Sequence, residues 1–353
     1  MNTIGNELRL TVFGESHGPA VGCTIDGIPA GFCIDSDAVA FELSRRAPHS
    51  GVESTKRKEK DTFEIVSGVY NGVSTGAPLT AIFKNTDARS EDYSTPVLRP
   101  SHADLTAAVK YRGHNDPRGG GMFSGRLTLP LVFAGAVCKQ LLSRRGIHIG
   151  SHVLQVGSIA DAPFDPMMTV FPELDPFFPL VDPGVKSGID ALFADLRQSG
   201  NSVGGVVECA ALGVPAGLGE PFFNGLESMI AHMLFSIPGV HGVDFGAGFD
   251  FPGMLGSEAN DPILPDLSTS SNHSGGINGG ISNGMPLIMR AAFRPVPSIA
   301  LPQRSIDPST RQPATLELRG RHDVCILPRG CAAIEAAAAI ALCDALLSFE
   351  GKL

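Results

Sequence analysis

Apolar and polar positions alternate from Leu8 to Phe13, which predicts a strand, and the pattern breaks at Gly14-Glu15-Ser16-His17-Gly18. A second alternation, Val21–Asp26, follows that turn and leads into Gly27-Ile28-Pro29-Ala30-Gly31. Asp35 or Ser36 can cap a helix running to about Arg46, with Val39 and Leu43 on one face. Phe63–Tyr70 and Leu79–Lys84 read as strands joined by the turn-rich Asn71–Pro78, and Thr86–Ser101 reads as a polar loop. Thr128–Arg145 is an apolar helix in which Ala134, Gly135 and Ala136 suit close packing. Ile147–Val156 is a further strand, Asp161–Asp182 is irregular, Ser187–Gln198 is helical and Val203–Leu212 is a strand.

The order of these patterns repeats. Gly27–Gly31 (GIPAG) returns as Gly213–Gly217 (GVPAG), each after a strand and before a helix. Val73–Leu79 (VSTGAPL) returns as Ile281–Leu287 (ISNGMPL), each before a strand. The helix carrying Cys138 and Leu142 resembles a terminal helix carrying Cys343 and Leu347. This preserved order predicts an internal duplication, about residues 1–150 and 200–353 with a connecting segment between, and a site at the seam of the two copies. Gly253–Asn278 is long, polar and without period, which predicts an active-site lid.

Composition narrows the function. Hydrophobic residues are 43% of the chain and charged ones 18%, so much of it must be buried. A net charge of −9 argues against a nucleic-acid partner, yet the arginines cluster, which points to a small anion. Seven cysteines, none in a C-x-x-C pair, read as reduced, buried thiols of a cytoplasmic protein. The N-terminus lacks the charged and apolar regions of a signal peptide. The apolar run Cys331–Leu347 is interrupted by Glu335 and Asp344 and is not expected to span a membrane. The histidines have no H-E-x-x-H or comparable spacing, so no metal centre is expected. Neither a Rossmann nor a P-loop glycine motif is present.

The densest chemistry lies between Arg99 and Arg126, where four arginines and two histidines flank Gly119-Gly120-Gly121. Arginine forks bind phosphate and carboxylate, a glycine run lets backbone N–H groups close on an anion or a ring, and histidine carries a proton near neutral pH. Arg45 and Arg46 end the first helix; complementing its dipole is worth about 0.3–1 kcal/mol, and two adjacent arginines point beyond that to anion capture. Gly14–Gly18 satisfies G-x-S-x-G, but it leads into a strand rather than a helix, which rules out an esterase elbow. His17 is also not expected to serve as base for Ser16, since adjacent extended residues point to opposite faces. In Arg321-His322-Asp323, the arginine could hold an anion and the aspartate could act as a base, or the two could form an ordinary ion pair.

Several segments together resemble the chorismate synthase family: Gly14–Gly31, Ser44–Pro48 (SRRAP), Asn85–Tyr93 (NTDARSEDY), Arg99–Tyr111, Arg118–Gly121, Gly279–Pro286 (GGISNGMP) and Gly320–Arg329 (GRHDVCILPR). They stand in family order over nearly the whole chain. The resemblance implies an α+β fold, a β-α-β sandwich with an internal repeat, assembled as a homotetramer. It implies conversion of 5-enolpyruvylshikimate 3-phosphate to chorismate and phosphate, a 1,4-anti elimination that requires reduced FMN without net oxidation. On this resemblance His17 is the acid meeting the leaving phosphate, and His102 protonates the reduced flavin. Asp323 assists the flavin as base, and Ser16 and Ser124 are relay hydroxyls. Arg46, Arg99, Arg126 and Arg321 hold substrate. The flavin site includes Phe123, Ser124, Pro238, Gly239, Gly279, Arg294, Pro295, Val296, Pro297, Ser298 and Arg321.

Met122, Ala47 and Val52 stand where the family carries arginines, and Arg294 replaces its usual lysine. These departures predict weaker flavin or substrate affinity. They also keep in view a weakened anion- or flavin-binding relative; a flavin oxidoreductase that turns over a nicotinamide is a separate alternative.

Overall fold

The computed structural model describes residues 1–48, 61–85, 97–318 and 323–351. The first half runs through β1 (Thr3–Ile4), β2 (Arg9–Gly14), β3 (Ala20–Asp26), α1 (Ser36–Arg46), β4 (Glu64–Ser67), β5 (Val69–Tyr70), β6 (Val73–Ser74), β7 (Leu79–Lys84), α2 (Asp104–Lys110) and α3 (Thr128–Ser143). The second runs through β8 (His148–Val156), β9 (Ile159–Ala160), α4 (Lys186–Ser199), β10 (Gly205–Leu212), α5 (Leu226–Phe235), β11 (Val240–Phe245), α6 (Gly256–Ala259), β12 (Ile277–Asn278), β13 (Ile281–Ser282), β14 (Leu287–Phe293), β15 (Gln303–Ile306), β16 (Pro313–Leu316) and α7 (Leu327–Glu350).

Among the described residues ten of these strands form two five-stranded antiparallel sheets, ordered β1-β2-β3-β7-β4 and β9-β8-β10-β14-β11, and the other six form the ribbons β5-β6, β12-β13 and β15-β16. Four positions correspond, β2-β3-β7-β4 against β8-β10-β14-β11; the edge strands differ, since β1 precedes β2 in the chain and β9 follows β8. α3 packs on the first sheet, α7 on the second, and α3 and α7 pack on each other to close the sandwich. Their approach requires Gly135, where an added Cβ would fall 2.2 Å from Cβ of Ala336. α7 is long and apolar enough to span a bilayer, but every residue from Leu327 to Leu346 except Arg329 is buried within the protein.

The correspondence reaches single hydrogen bonds. The Phe32 N–H donates to Ser74 Oγ (2.9 Å), which donates to the Pro29 carbonyl (2.6 Å). In the other half the Leu218 N–H donates to Ser282 Oγ (2.9 Å), which donates to the Pro215 carbonyl (2.6 Å). These are the two glycine-flanked segments whose likeness is visible in the sequence. The expected boundary needs correction: β8 pairs with β10, so residues ahead of 200 already belong to the second sheet and are no mere connector.

Asp35 accepts from the N–H groups of Asp37 and Ala38 and caps α1, as its sequence predicts. The two arginines ending that helix then part. Arg45 turns inward, where both its terminal nitrogens meet the Glu335 carboxylate at 2.6 Å. Lys139 (2.7 Å) and Ser151 (2.7 Å) join Glu335, and Glu42 pairs with both Arg45 (2.8 Å) and Lys139 (2.7 Å), so Arg45 ties α1, α3, β8 and α7 together and captures no external anion. A buried arginine with a bidentate carboxylate partner is a structural device.

On the outer face of the second sheet, His152 Nδ1 meets Asp161 (3.1 Å) and Nε2 meets Glu208 (2.9 Å). Glu208 lies opposite Arg290, whose guanidinium holds Asp244 at 2.8 and 2.9 Å. Asp161 also accepts from the N–H groups of Val181 and Asp182, which pins the irregular 161–182 strap across the sheet. Phe164 and Met168 of the strap then bury Ala210, Leu212 and Ile288.

Candidate functional site

β2 ends at Gly14, whose φ of +100° permits the sharp turn into β3; an added Cβ there would sit 2.4 Å from the Ala20 carbonyl oxygen. This strand–turn–strand geometry agrees with the rejection of an esterase elbow. The expected divergence of Ser16 and His17 does not hold, because both lie in the turn rather than in extended chain. Ser16 Oγ therefore reaches His17 Nδ1 at 3.1 Å. The Ser16 N–H donates to the Gly121 carbonyl (3.2 Å), joining this turn to the glycine run.

Gly119, Gly120 and Gly121 all have positive φ (60°, 99° and 53°), a run no other residue type adopts readily. Their lack of side chains admits two imidazoles. A Cβ on Gly119 would stand 1.9 Å from His17 Cε1, and one on Gly120 would stand 3.3 Å from His102 Cε1. The run thus brings together the two histidines singled out from the sequence, 85 positions apart by subtraction of 17 from 102. Ser124 follows, its Oγ accepting from the Arg126 N–H (3.2 Å), and Phe123 lies beside Tyr111 with ring centroids 6.4 Å apart. Met122 sits half-buried with its sulfur 3.7 Å from the Tyr111 hydroxyl.

Two of the expected substrate arginines converge on one carboxylate. Arg46 Nη1 meets Asp61 at 2.9 Å and Arg126 Nη1 meets it at 2.6 Å. Arg126 Nε also donates to Asn85 Oδ1 (3.2 Å), and Asn85 Nδ2 donates to the carbonyls of Glu15 (3.0 Å) and Gly18 (2.9 Å). The arginine pair is therefore tied to the His17 turn. Burial depresses the Arg46 guanidinium below its ordinary value; Asp61 opposes this, while neighbouring Arg329 and Arg126 depress it further. Such a gathering of cations favours any added anion.

Asp323 pairs with Arg329 in the first turn of α7. Arg321 and Val52 lie outside the described residues, as does the greater part of Asn85–Tyr93. Of the other arginines in the 99–126 stretch, Arg112 is exposed at the end of α2, and Arg118 is exposed and paired with Asp116. Arg99 sends its Nε (2.8 Å) and Nη2 (2.7 Å) to Asp104, so that edge of its fork is committed within the protein. Asp104 in turn holds His102 Nδ1 at 2.6 Å.

From the second half, Arg294 Nη1 donates to the Ser101 carbonyl (2.7 Å), next to His102, and its N–H donates to the Gly239 carbonyl (2.9 Å). Arg294 thereby links the Gly239 backbone to the loop that carries Ser101, and the neighbouring Val296 carbonyl accepts from Ser202 Oγ at 2.8 Å. Gly279 lies in the β12–β13 turn, whose Gly280 carbonyl accepts from Leu226 at the start of α5, and Gly239 follows the other end of that helix. Asp61, Asn85, Asp104 and Arg329 contact the expected site residues without having been singled out themselves, although Asn85, Asp104 and Arg329 lie in the segments that carry the family resemblance.

The sequence profile of the family described as chorismate synthase matches residues 8–347. The chain is 45% identical to the chorismate synthase of Thermococcus gammatolerans, over 97% of each chain, and 43% identical to that of Nitratidesulfovibrio vulgaris, over 98% of each. A solved structure described as a crystal structure of chorismate synthase superposes with a TM-score of 0.77 at 30% identity, covering 99% of this chain and 94% of the other. A match of this extent, in sequence and in fold, means that the chain belongs to the chorismate synthase family.

Proposed function

We propose that the groups gathered around Gly119–Gly121 carry out the family's reaction, conversion of 5-enolpyruvylshikimate 3-phosphate to chorismate and phosphate. The observation that carries this reading is the seating of His17 and His102 on adjacent glycines of one run, beside the Arg46–Arg126 pair. In this reading Arg46 and Arg126, with Arg321, grip the substrate's phosphate and carboxylates by charge-assisted hydrogen bonds. His17 delivers a proton to the phosphate as its bond to C3 breaks, and Ser16 Oγ, bonded to His17 Nδ1, relays and orients that proton. Asp323 supports removal of the C6 hydrogen from the side of Arg329. Ser124 lies along the same run as a second relay hydroxyl.

The residues present fit a flat flavin. The run of positive-φ glycines brings bare backbone to the site, His102 lies against it, and Arg294 brings a cation from the other half to the Ser101 carbonyl beside His102. Phe123, Gly239 and Pro295–Ser298 would line the cofactor. Reduced FMN, when bound, lends electron density to the substrate during loss of phosphate. We read the matching sheet orders and serine clasps as an internal duplication, and Gly253–Asn278 as a lid over the site. Asp261 would brace that lid, accepting from the N–H groups of His273 (2.7 Å) and Ser274 (2.9 Å).

Homotetramer assembly and a cytoplasmic setting belong to the same reading. Exposed Phe222, Phe223, Phe249 and Leu267 support the first, and six buried cysteines out of seven support the second. Light scattering should return the mass of four 36.9 kDa chains. The deciding assay is anaerobic phosphate release from 5-enolpyruvylshikimate 3-phosphate: rapid with chemically reduced FMN, absent with oxidised FMN. Equal release without flavin would overturn the mechanism.

A further inference from the structure

Asp104 is the first residue of α2, where an acidic side chain ordinarily complements the helix dipole. It does not cap the helix: the N-cap is Ala103, and no side chain bonds to the free N–H groups. Its carboxylate turns back instead. Oδ2 accepts from the Arg99 main-chain N–H (3.0 Å) and Nε (2.8 Å), and Oδ1 accepts from Arg99 Nη2 (2.7 Å) and meets His102 Nδ1 (2.6 Å). Burial pushes the Asp104 carboxyl up, but hydrogen bonds from His102 and Arg99 outweigh it and hold the group well below the usual carboxylate range.

We propose that Asp104 is a positioning residue for His102: anchored by the Arg99 fork, it fixes the imidazole by Nδ1 and leaves Nε2 to carry the transferable proton. An ionised carboxylate only accepts, so the proton in this bond belongs to His102 Nδ1. The opposite edge of the ring, Cε1 and Nε2, lies against Gly120, at 3.3 and 3.4 Å from where a Cβ would be. One nitrogen is thus assigned to holding the ring, and the other lies beside Gly120 of the glycine run. Arg99 then acts through Asp104, keeping it charged and in place.

The loop stores strain consistent with this over-determined arrangement. Ser101, just before His102, has φ +58°, and a left-handed non-glycine residue costs on the order of 1 kcal/mol. Two bonds hold it there: the His102 N–H donates to the Arg99 carbonyl (3.3 Å), and Arg294 donates to the Ser101 carbonyl (2.7 Å). The inference rests on the reading of His102 as the flavin's proton carrier, and its test separates the two.

Long-range proton–nitrogen NMR spectra of the full chain with labelled histidine, assigned with His102→Gln, should show a protonated Nδ1 and a bare Nε2 when the ring is neutral. Asp104→Asn should mix or reverse the two tautomers. In the anaerobic assay Asp104→Asn should lower kcat about 10-fold or more with KM nearly unchanged, and Asp104→Glu should recover part of the loss. In a His102→Ala background the same change should add no more than about twofold, because a residue acting through His102 has nothing left to position. An unprotonated Nδ1 in the wild-type chain would overturn the proposal, and that spectrum decides even if Asp104→Asn fails to fold. Undiminished additivity in the double variant would also overturn it. Full activity of His102→Ala would instead remove the reading of His102, while the tautomer spectrum would still decide whether Asp104 fixes the ring.

Discussion

The two halves of this chain share strand order, a serine clasp and a central helix, yet they differ in the connections between matching elements. β2 passes to β3 through a turn of Glu15–Pro19, while the corresponding passage from β8 to β10 takes in β9, the strap and α4. The tight turn aims His17 at the glycine run; the long passage covers a sheet face and buries His152 between two carboxylates. The connection from β7 to α3 carries Arg99, His102, the glycines and Arg126, and its counterpart from β14 to α7 supplies Arg294 and Asp323, with Arg329 following in the first turn of α7. The shared framework therefore sets distances and directions, and the connections hold the chemistry, as is usual for loops on a rigid scaffold.

Exchanging equivalent perturbations between the halves is the sharpest way to break this comparison. His17→Ala and His102→Ala should each cut turnover at least about 10-fold, and up to about 10⁴-fold, with little change in melting temperature. Wild-type turnover in either variant would take that residue out of the site.

The seam between the halves should respond in stability alone. Glu335→Gln leaves buried Arg45 and Lys139 with Glu42 as their remaining counter-charge and should cost about 3 kcal/mol in denaturant unfolding. Burial pushes the Glu335 carboxyl up, but Lys139 and Arg45 outweigh it and hold it at about 2, below the ordinary 4.5. Because the folded value is depressed, this stabilisation is complete above the ordinary value and fades as pH falls toward about 2. Unfolding followed against pH should show that acid slope in the wild type and a shallower one in Glu335→Gln. Parallel slopes would remove Glu335 from the acid response.

His152→Ala should lower stability by about 1–3 kcal/mol, since Glu208 and Asp161 lose a buried partner, and should leave kcat within about twofold of wild type. A large loss of turnover would mean that the second sheet's polar row reaches the chemistry. Smallest of all, Ser74→Ala and Ser282→Ala should each cost about 1 kcal/mol. The two values should agree within about 0.5 kcal/mol if the clasps are equivalent.

Much of this was legible in the chain. The strand Leu79–Lys84 and the cap of α1 at Asp35 follow from alternation and capping chemistry, which depend on near neighbours. The likeness of GIPAG to GVPAG pointed to the paired halves, although β8 joined the second sheet from ahead of the expected boundary. Strand pairing is a long-range choice that periodicity does not encode. The same gap explains Ser16 and His17, whose alternation failed once the turn bent the backbone between them. It also explains Arg45 and Arg46: adjacent on one helix end, they point roughly 100° apart around its axis, one to a buried glutamate and the other to the site.

His17, His102, Arg46 and Arg126 were marked by residue type and motif, because proton transfer and anion binding call for those side chains wherever they stand. Their partners were not. Asp61 bridges two arginines, Asn85 ties one of them to the His17 turn, and Arg329 faces Asp323, each through contacts made only when distant segments close. The chain's local chemistry determined which groups could react and which stretches would be strand, helix or glycine turn. The folded structure alone decided that Arg46 and Arg126 face Asp61 while Arg45 faces Glu335, since those pairings form only when segments distant in the chain pack together.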